Sequence, residues 1–84
     1  MAKSILIILV GKRKSTAVNV QKILTGWGCI IKTRLGIHDG ILENCSEEGL
    51  IILELVGTKE QNEELSRKIH LLDNVNSELV NLTI

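Results

Sequence analysis

Two stretches constrain the fold more than anything else in this 84-residue chain: SILIILV at Ser4–Val10 and LIILELV at Leu50–Val56. Each is apolar at both odd and even positions, apart from Ser4 at the start of the first and Glu54 in the second. A strand with one wet face alternates apolar and polar residues, because successive side chains point to opposite sides. A strand apolar on both sides has a covered face on both. The chain therefore needs a sheet with these two strands at its centre, and something must cover each face.

The intervening residues supply one cover. Ala17, Val20, Leu24 and Trp27 fall at helical spacing, with Ile23 widening the stripe. Ser15 stands before this run as an N-cap would, and Gly26 and Gly28 offer a left-handed stop. CIIKTRLGI at Cys29–Ile37 reads as a second strand, with Ile31, Thr33, Leu35 and Ile37 on one side and Lys32, Arg34 and Gly36 on the other. Cys29 has inward parity and reads as a small core residue. Asp39-Gly40 and Glu47-Glu48-Gly49 mark turns around an irregular segment before the third strand. Thr58 and Gln61 match a capping box and open a second helix whose buried stripe is Leu65, Ile69 and Leu72. Glu63–Arg67 and Glu64–Lys68 have i,i+4 spacing, and His70 ends the helix near the basic end of its dipole. After the Asp73-Asn74 turn, VNSELVNLTI closes the chain as a fourth strand.

The order is βαββαβ: an α+β, ferredoxin-like (ACT-like) sandwich, with a four-stranded antiparallel sheet and two helices on one face. The whole chain, 1–84, reads as a single domain. Strands two and four carry Lys32, Arg34, Asn76, Glu78 and Asn81, as edge strands do. The helices cover one sheet face and leave the other apolar, so we expect self-association into a dimer or tetramer through that open face.

Composition excludes several functions. Lysines and arginines equal aspartates and glutamates at ten each, for a net charge of zero. That argues against direct nucleic-acid binding, and Lys12-Arg13-Lys14 reads as a solvated loop. The apolar run Ile5–Val10 is too short for a signal peptide or a membrane span. Two cysteines make no disulfide framework, so the expectation is a cytoplasmic protein with no membrane partner. No paired carboxylates or nucleophile–base pattern is present, so no enzyme is expected.

VGKRKSTAVNVQKILTGWGCIIKTRLGIHDG, followed by CSEEGLIILELVG, resembles the small ACT-like domains of the iron-only hydrogenase system regulator family. The similar elements are the charged loop after strand one, Val20-Gln21 and Leu24 in helix one, RLGIH at Arg34–His38, and Cys45-Ser46 with Gly49 before strand three. The resemblance spans almost the whole chain and implies a regulatory role, with a separate output protein as partner. It also implies a fold similar to that of amino-acid-binding ACT modules and of the C-terminal domain of nickel-responsive repressors. The Asp-x-Pro-Gly-like turn of the ACT modules is Gly11-Lys12-Arg13-Lys14 here.

Two candidate sites follow. Gly11, Lys12, Arg13, Ser15 and Thr16 lead into the first helix and would suit a carboxylate or phosphate, with exposed N–H groups, hydroxyls and cations. GKRKST lacks the spacer and second glycine of a P-loop. Arg34 either completes this site in a neighbouring subunit or pairs with Glu54. His38 and Cys45 are good ligands for a nickel- or iron-type transition metal, with Glu43 as an oxygen donor. Symmetry in an oligomer could complete their ligand set. The expectation is a ligand-sensing regulatory module; the alternatives are a structural oligomerisation module and a metal sensor.

Overall fold

The computed structural model describes residues 1–11, 14–38 and 48–84. Among these residues the elements are, in order, β1 (Ala2–Val10), α1 (Lys14–Gly26), a 3-10 turn (Gly28–Ile30), β2 (Ile31–His38), β3 (Glu48–Leu55), α2 (Lys59–His70) and β4 (Val75–Thr83). The strands form one antiparallel sheet in the order β2-β3-β1-β4. The two most apolar strands, β1 and β3, are central, as expected for the ferredoxin-like arrangement.

The register divides the sheet cleanly. Leu6 pairs with Leu53 and Ile8 with Ile51 on one face. These four are at most 1% exposed and form the core with Val10, Leu55, Ala17, Val20 and Leu24 of α1, and Leu65 and Ile69 of α2. Ile23, Trp27 and Leu72 pack against it, so both expected helix stripes lie where their spacing puts them. Trp27 covers the end of α1, and on the β4 side Val75 and Leu79 close the core.

α2 starts with the capping box read from its sequence. Thr58 Oγ1 accepts from the Gln61 N–H at 3.1 Å, and Gln61 Oε1 accepts from the Thr58 N–H at 2.8 Å. Two N–H groups that a helix start leaves without a partner are thereby satisfied.

Several local expectations are corrected. α1 begins at Lys14, so Ser15 lies inside its first turn rather than capping it. Neither Gly26 nor Gly28 is left-handed; α1 runs through Gly26 and the chain continues into the 3-10 turn. Cys29 lies in that turn and is exposed, not core. β3 already includes Glu48 and Gly49, read as part of a turn, while Asp39, Gly40 and Glu47 lie outside the described residues. On α2 the Glu63–Arg67 pairing is replaced: Arg67 turns to Glu64 at 2.6 Å, and Glu63 faces Lys59 at 3.9 Å. Lys68 does approach Glu64, at 3.9 Å.

The largest correction is in β2. Ile31 pairs with Leu55, but Thr33, two residues later, pairs with the adjacent Glu54. Lys32 is the extra residue of a β-bulge, which shifts every following side chain to the opposite face. Ile31 thus stays on the helix side with Arg34 and Gly36, while Thr33, Leu35 and Ile37 turn to the open side. The simple alternation expected from Ile31 to Ile37 does not hold.

Candidate functional site

Gly11, just after β1, meets a residue distant in sequence, Asn74. Asn74 has φ 61°, the left-handed conformation that asparagine tolerates better than most residues. Its carbonyl accepts from the Gly11 N–H at 2.9 Å. Its carboxamide occupies the space where a Cβ on Gly11 would stand, and its Nδ2 donates to Thr16 Oγ1 at 3.3 Å.

The structure therefore brings Gly11 and Thr16 together around Asn74. Thr16 is buried and its hydroxyl is engaged by Asn74, whereas Ser15 is exposed. Lys12 and Arg13 lie outside the described residues. Arg34 does not pair with Glu54. Since the bulge puts it on the helix side, its Nη1 donates to Gln21 Oε1 of α1 at 2.8 Å. Beside that contact, the outer side of α1 carries an open groove of about 540 Å³ lined by Ala17, Val18, Gln21, Lys22 and Thr25.

His38 ends β2, and Cys45 and Glu43 lie outside the described residues. Among the described residues, no group of three or more His, Cys, Asp or Glu side chains is placed to hold a metal ion.

The sheet face turned away from the helices is the most extensive feature. It presents Ile5, Ile7 and Leu9 of β1, Leu50 and Ile52 of β3, Leu35 and Ile37 of β2, and Val80 and Leu82 of β4. Leu9, Leu35 and Leu82 are each more than half exposed. On this face Glu54 accepts from Lys3 Nζ at 3.0 Å. That hydrogen bond, with the charges of Lys3 and Lys32, holds the Glu54 carboxyl below its ordinary pKa against a smaller opposing effect of burial. Lys3 and Asn74 were not singled out in the sequence. Asn74 carried a signal, an asparagine in a turn before a strand; Lys3 carried none, because its partner is set by strand register alone.

No family model matches the chain, and no curated protein matches it. Among solved structures it is similar to an uncharacterized protein from Thermotoga maritima, at 24% identity and a TM-score of 0.77, covering 99% of this chain and all of that one. The apo form of a nitrogen regulatory PII-like protein from Thiomonas intermedia is also similar, at 20% identity and a TM-score of 0.47, over 99% of this chain and 90% of that one. The first likeness is one of fold. No helix among the described residues is long and apolar enough to cross a membrane.

Proposed function

We propose that the protein is a cytoplasmic regulatory module, not an enzyme, that works as a homo-oligomer joined through its open sheet face. The observation that carries this is the exposed apolar field formed by Ile7, Leu9, Leu35, Ile37 and Leu82. Strands about 4.8 Å apart, rising about 3.3 Å per residue, give four strands of eight residues a face of roughly 500 Å² in projection. Accessible area over protruding side chains exceeds projected area, so covering this face approaches the about 800 Å² per partner of a standard stable interface. A patch of that size is unfavourable in water and is best covered by an equally apolar surface, which a second copy supplies.

The regulatory part of the reading rests on the sequence resemblance to hydrogenase-system regulators. A ligand bound better by one assembly geometry than another would shift the population between them, and a separate output protein would read the change. The ligand is not identified; the alternative reading makes it a nickel- or iron-type transition metal bound through His38 and Cys45.

Native mass spectrometry of protein purified anaerobically without chelator tests both parts together. The expected result is a dimer or tetramer that becomes monomeric in Ile52→Asp, with metal in whole-number ratio that is lost in His38→Ala and Cys45→Ser. A monomeric wild type overturns the assembly. An oligomer that stays metal-free after incubation with nickel, iron, zinc and cobalt hands the function to the alternative, a structural assembly module.

A further inference from the structure

β4 is a margin of the sheet, and the backbone bonds at its two ends tell which of its groups face outward. The Ile84 N–H donates to the Met1 carbonyl at 2.9 Å, and the Gly11 N–H donates to the Asn74 carbonyl at 2.9 Å. Between these ends β1 and β4 pair in one unbroken register, from Ala2 with Thr83 to Val10 with Val75. Bonded and non-bonded pairs alternate along an antiparallel ladder. Asn76, Glu78, Val80 and Leu82 therefore direct their N–H and C=O groups to β1. Val75, Ser77, Leu79, Asn81 and Thr83 turn theirs outward, where no strand among the described residues meets them.

Such a margin is a template for another strand, and folded chains blunt it with lysine, proline or a bulge. β4 has none of these. Over nine residues VNSELVNLT holds no Lys, Arg or Pro, and its ladder does not slip. Its side chains also leave a polar group unanswered. Ser77 Oγ is buried without a hydrogen-bond partner among the described residues, and a buried polar atom in that state calls for a reason. Asn81, on the same face, accepts with Oδ1 from Ser4 Oγ at 2.7 Å, a bond that leaves its Nδ2 unused.

A second β4 fits this margin. A two-fold axis through Leu79, perpendicular to the sheet, runs the two strands antiparallel. It sets Leu79 beside its own copy, Ser77 beside the partner's Asn81, and Val75 beside the partner's Thr83. Of the two-fold registers open to β4, this one alone gives every outward residue an opposite number, and each such pair exchanges two bonds. It also brings the partner's Asn81, with its unused Nδ2, opposite Ser77 Oγ, and symmetry repeats the contact. α2 packs over β4 and β1, so joined margins set the two copies of α2 roughly 10 Å apart, an ordinary helix-packing distance. The opposing effect is repulsion between the two Glu78 side chains, diagonal neighbours across the joint at roughly 7–8 Å. Glu78 is exposed, and water and salt screen that repulsion.

We infer that two copies of this chain join margin to margin, β4 to β4, in one continuous antiparallel sheet centred on Leu79, with Ser77 of each copy bonded to Asn81 of the other. The joint uses a different surface from the apolar face and stands without it. Built from backbone bonds with little apolar area, it is the weaker of the two and closes at higher concentration. Where both close, four chains assemble.

The experiment is amide hydrogen exchange followed by NMR at about 1 mM for wild type, Ile52→Asp and Ser77→Pro. Proline at 77 removes an N–H that the single chain leaves unpaired, so the margin tolerates it while a second strand does not. The expected result is that the Leu79 and Asn81 amides exchange at least about threefold slower in wild type and in Ile52→Asp than in Ser77→Pro, a factor set by the fraction of chains left unpaired. The Glu78 and Val80 amides, bonded to β1 in every state, stay slow in all three and show that the fold is kept. Thr83→Pro, near the end of the strand, gives the same comparison where Ser77→Pro loses the fold. Equal Leu79 and Asn81 rates in wild type and the proline variant overturn the joint. Slow amides in wild type that turn fast in Ile52→Asp overturn it too, because they are then due to the apolar face. Protection kept in Ile52→Asp supports the joint even where the apolar face stays uncovered.

Discussion

Asn74 is the residue on which the contacts of Gly11 and Thr16 converge. A left-handed asparagine, a hydrogen bond to the Gly11 N–H and a carboxamide lying where Gly11 has no side chain are one device. Gly11→Ala therefore drives a methyl into the Asn74 side chain and should cost about 1–3 kcal/mol, read as a lower midpoint in urea or heat. Combining it with Asn74→Gly, which keeps the left-handed backbone and removes the obstacle, should recover part of that loss. Recovery of nothing would mean that the clash is not what makes glycine necessary. Glu54 makes a pH prediction. Its carboxyl is held below the ordinary value by Lys3, so the folded state binds a proton less readily than the unfolded state. The pair stabilises the fold above that ordinary value, 4.5, and the contribution is lost as pH falls through the lowered folded-state value. Denaturant midpoints measured from pH 6 downward should fall less steeply in Lys3→Met than in wild type through that window.

Among the elements, α2 is the one whose sequence and structure agree most closely. Its capping box, its buried Leu65 and Ile69 and its basic last turn are all present. Thr58→Ala should cost about 1 kcal/mol, because a cap oxygen is removed and the Gln61 N–H loses its acceptor. Thr58→Ser should cost much less, and equal losses would show that the hydroxyl is not the group responsible. The element order and the central place of β1 and β3 were legible for the same reason: burial on both faces leaves an apolar signature that no edge strand carries. β2 was legible as a strand but not as to its faces. A bulge adds a single residue, and nothing in IKTRLGIH marks Lys32 as that residue, since the partner strand decides where the ladder slips. The mistaken expectation of an Arg34–Glu54 pair follows directly from it, because the slip carries Arg34 to the helix side. Cys29 was misplaced for a related reason: the 3-10 turn takes up the residues between α1 and the sheet, and no periodicity announces three residues. Of the candidate site, Gly11 and Thr16 do share one corner, but what joins them is Asn74, distant in sequence.

At the scale of the molecule, assembly through the open face would make stability a function of concentration. An assembly that buries Leu9, Leu35 and Leu82 should unfold at a temperature that rises with protein concentration, by mass action. Leu35→Asp should remove that dependence while leaving the dilute-limit midpoint nearly unchanged, since the side chain is half exposed in the single copy. A concentration-independent midpoint in wild type would contradict assembly through this face. The bulges of β2 have a separate consequence. The ladder between β2 and β3 is irregular at Ile31/Thr33 and again at Ile37/His38, which leaves only a short regular stretch near that edge, whereas β4 pairs with β1 without interruption over its full length. Strand-by-strand growth into an endless ribbon requires two serviceable margins, one to receive and one to offer. This sheet has one straight margin and one that is twice kinked, so its edges are poorly matched for open-ended strand pairing, and self-association through the open face would close in pairs instead of growing into fibres.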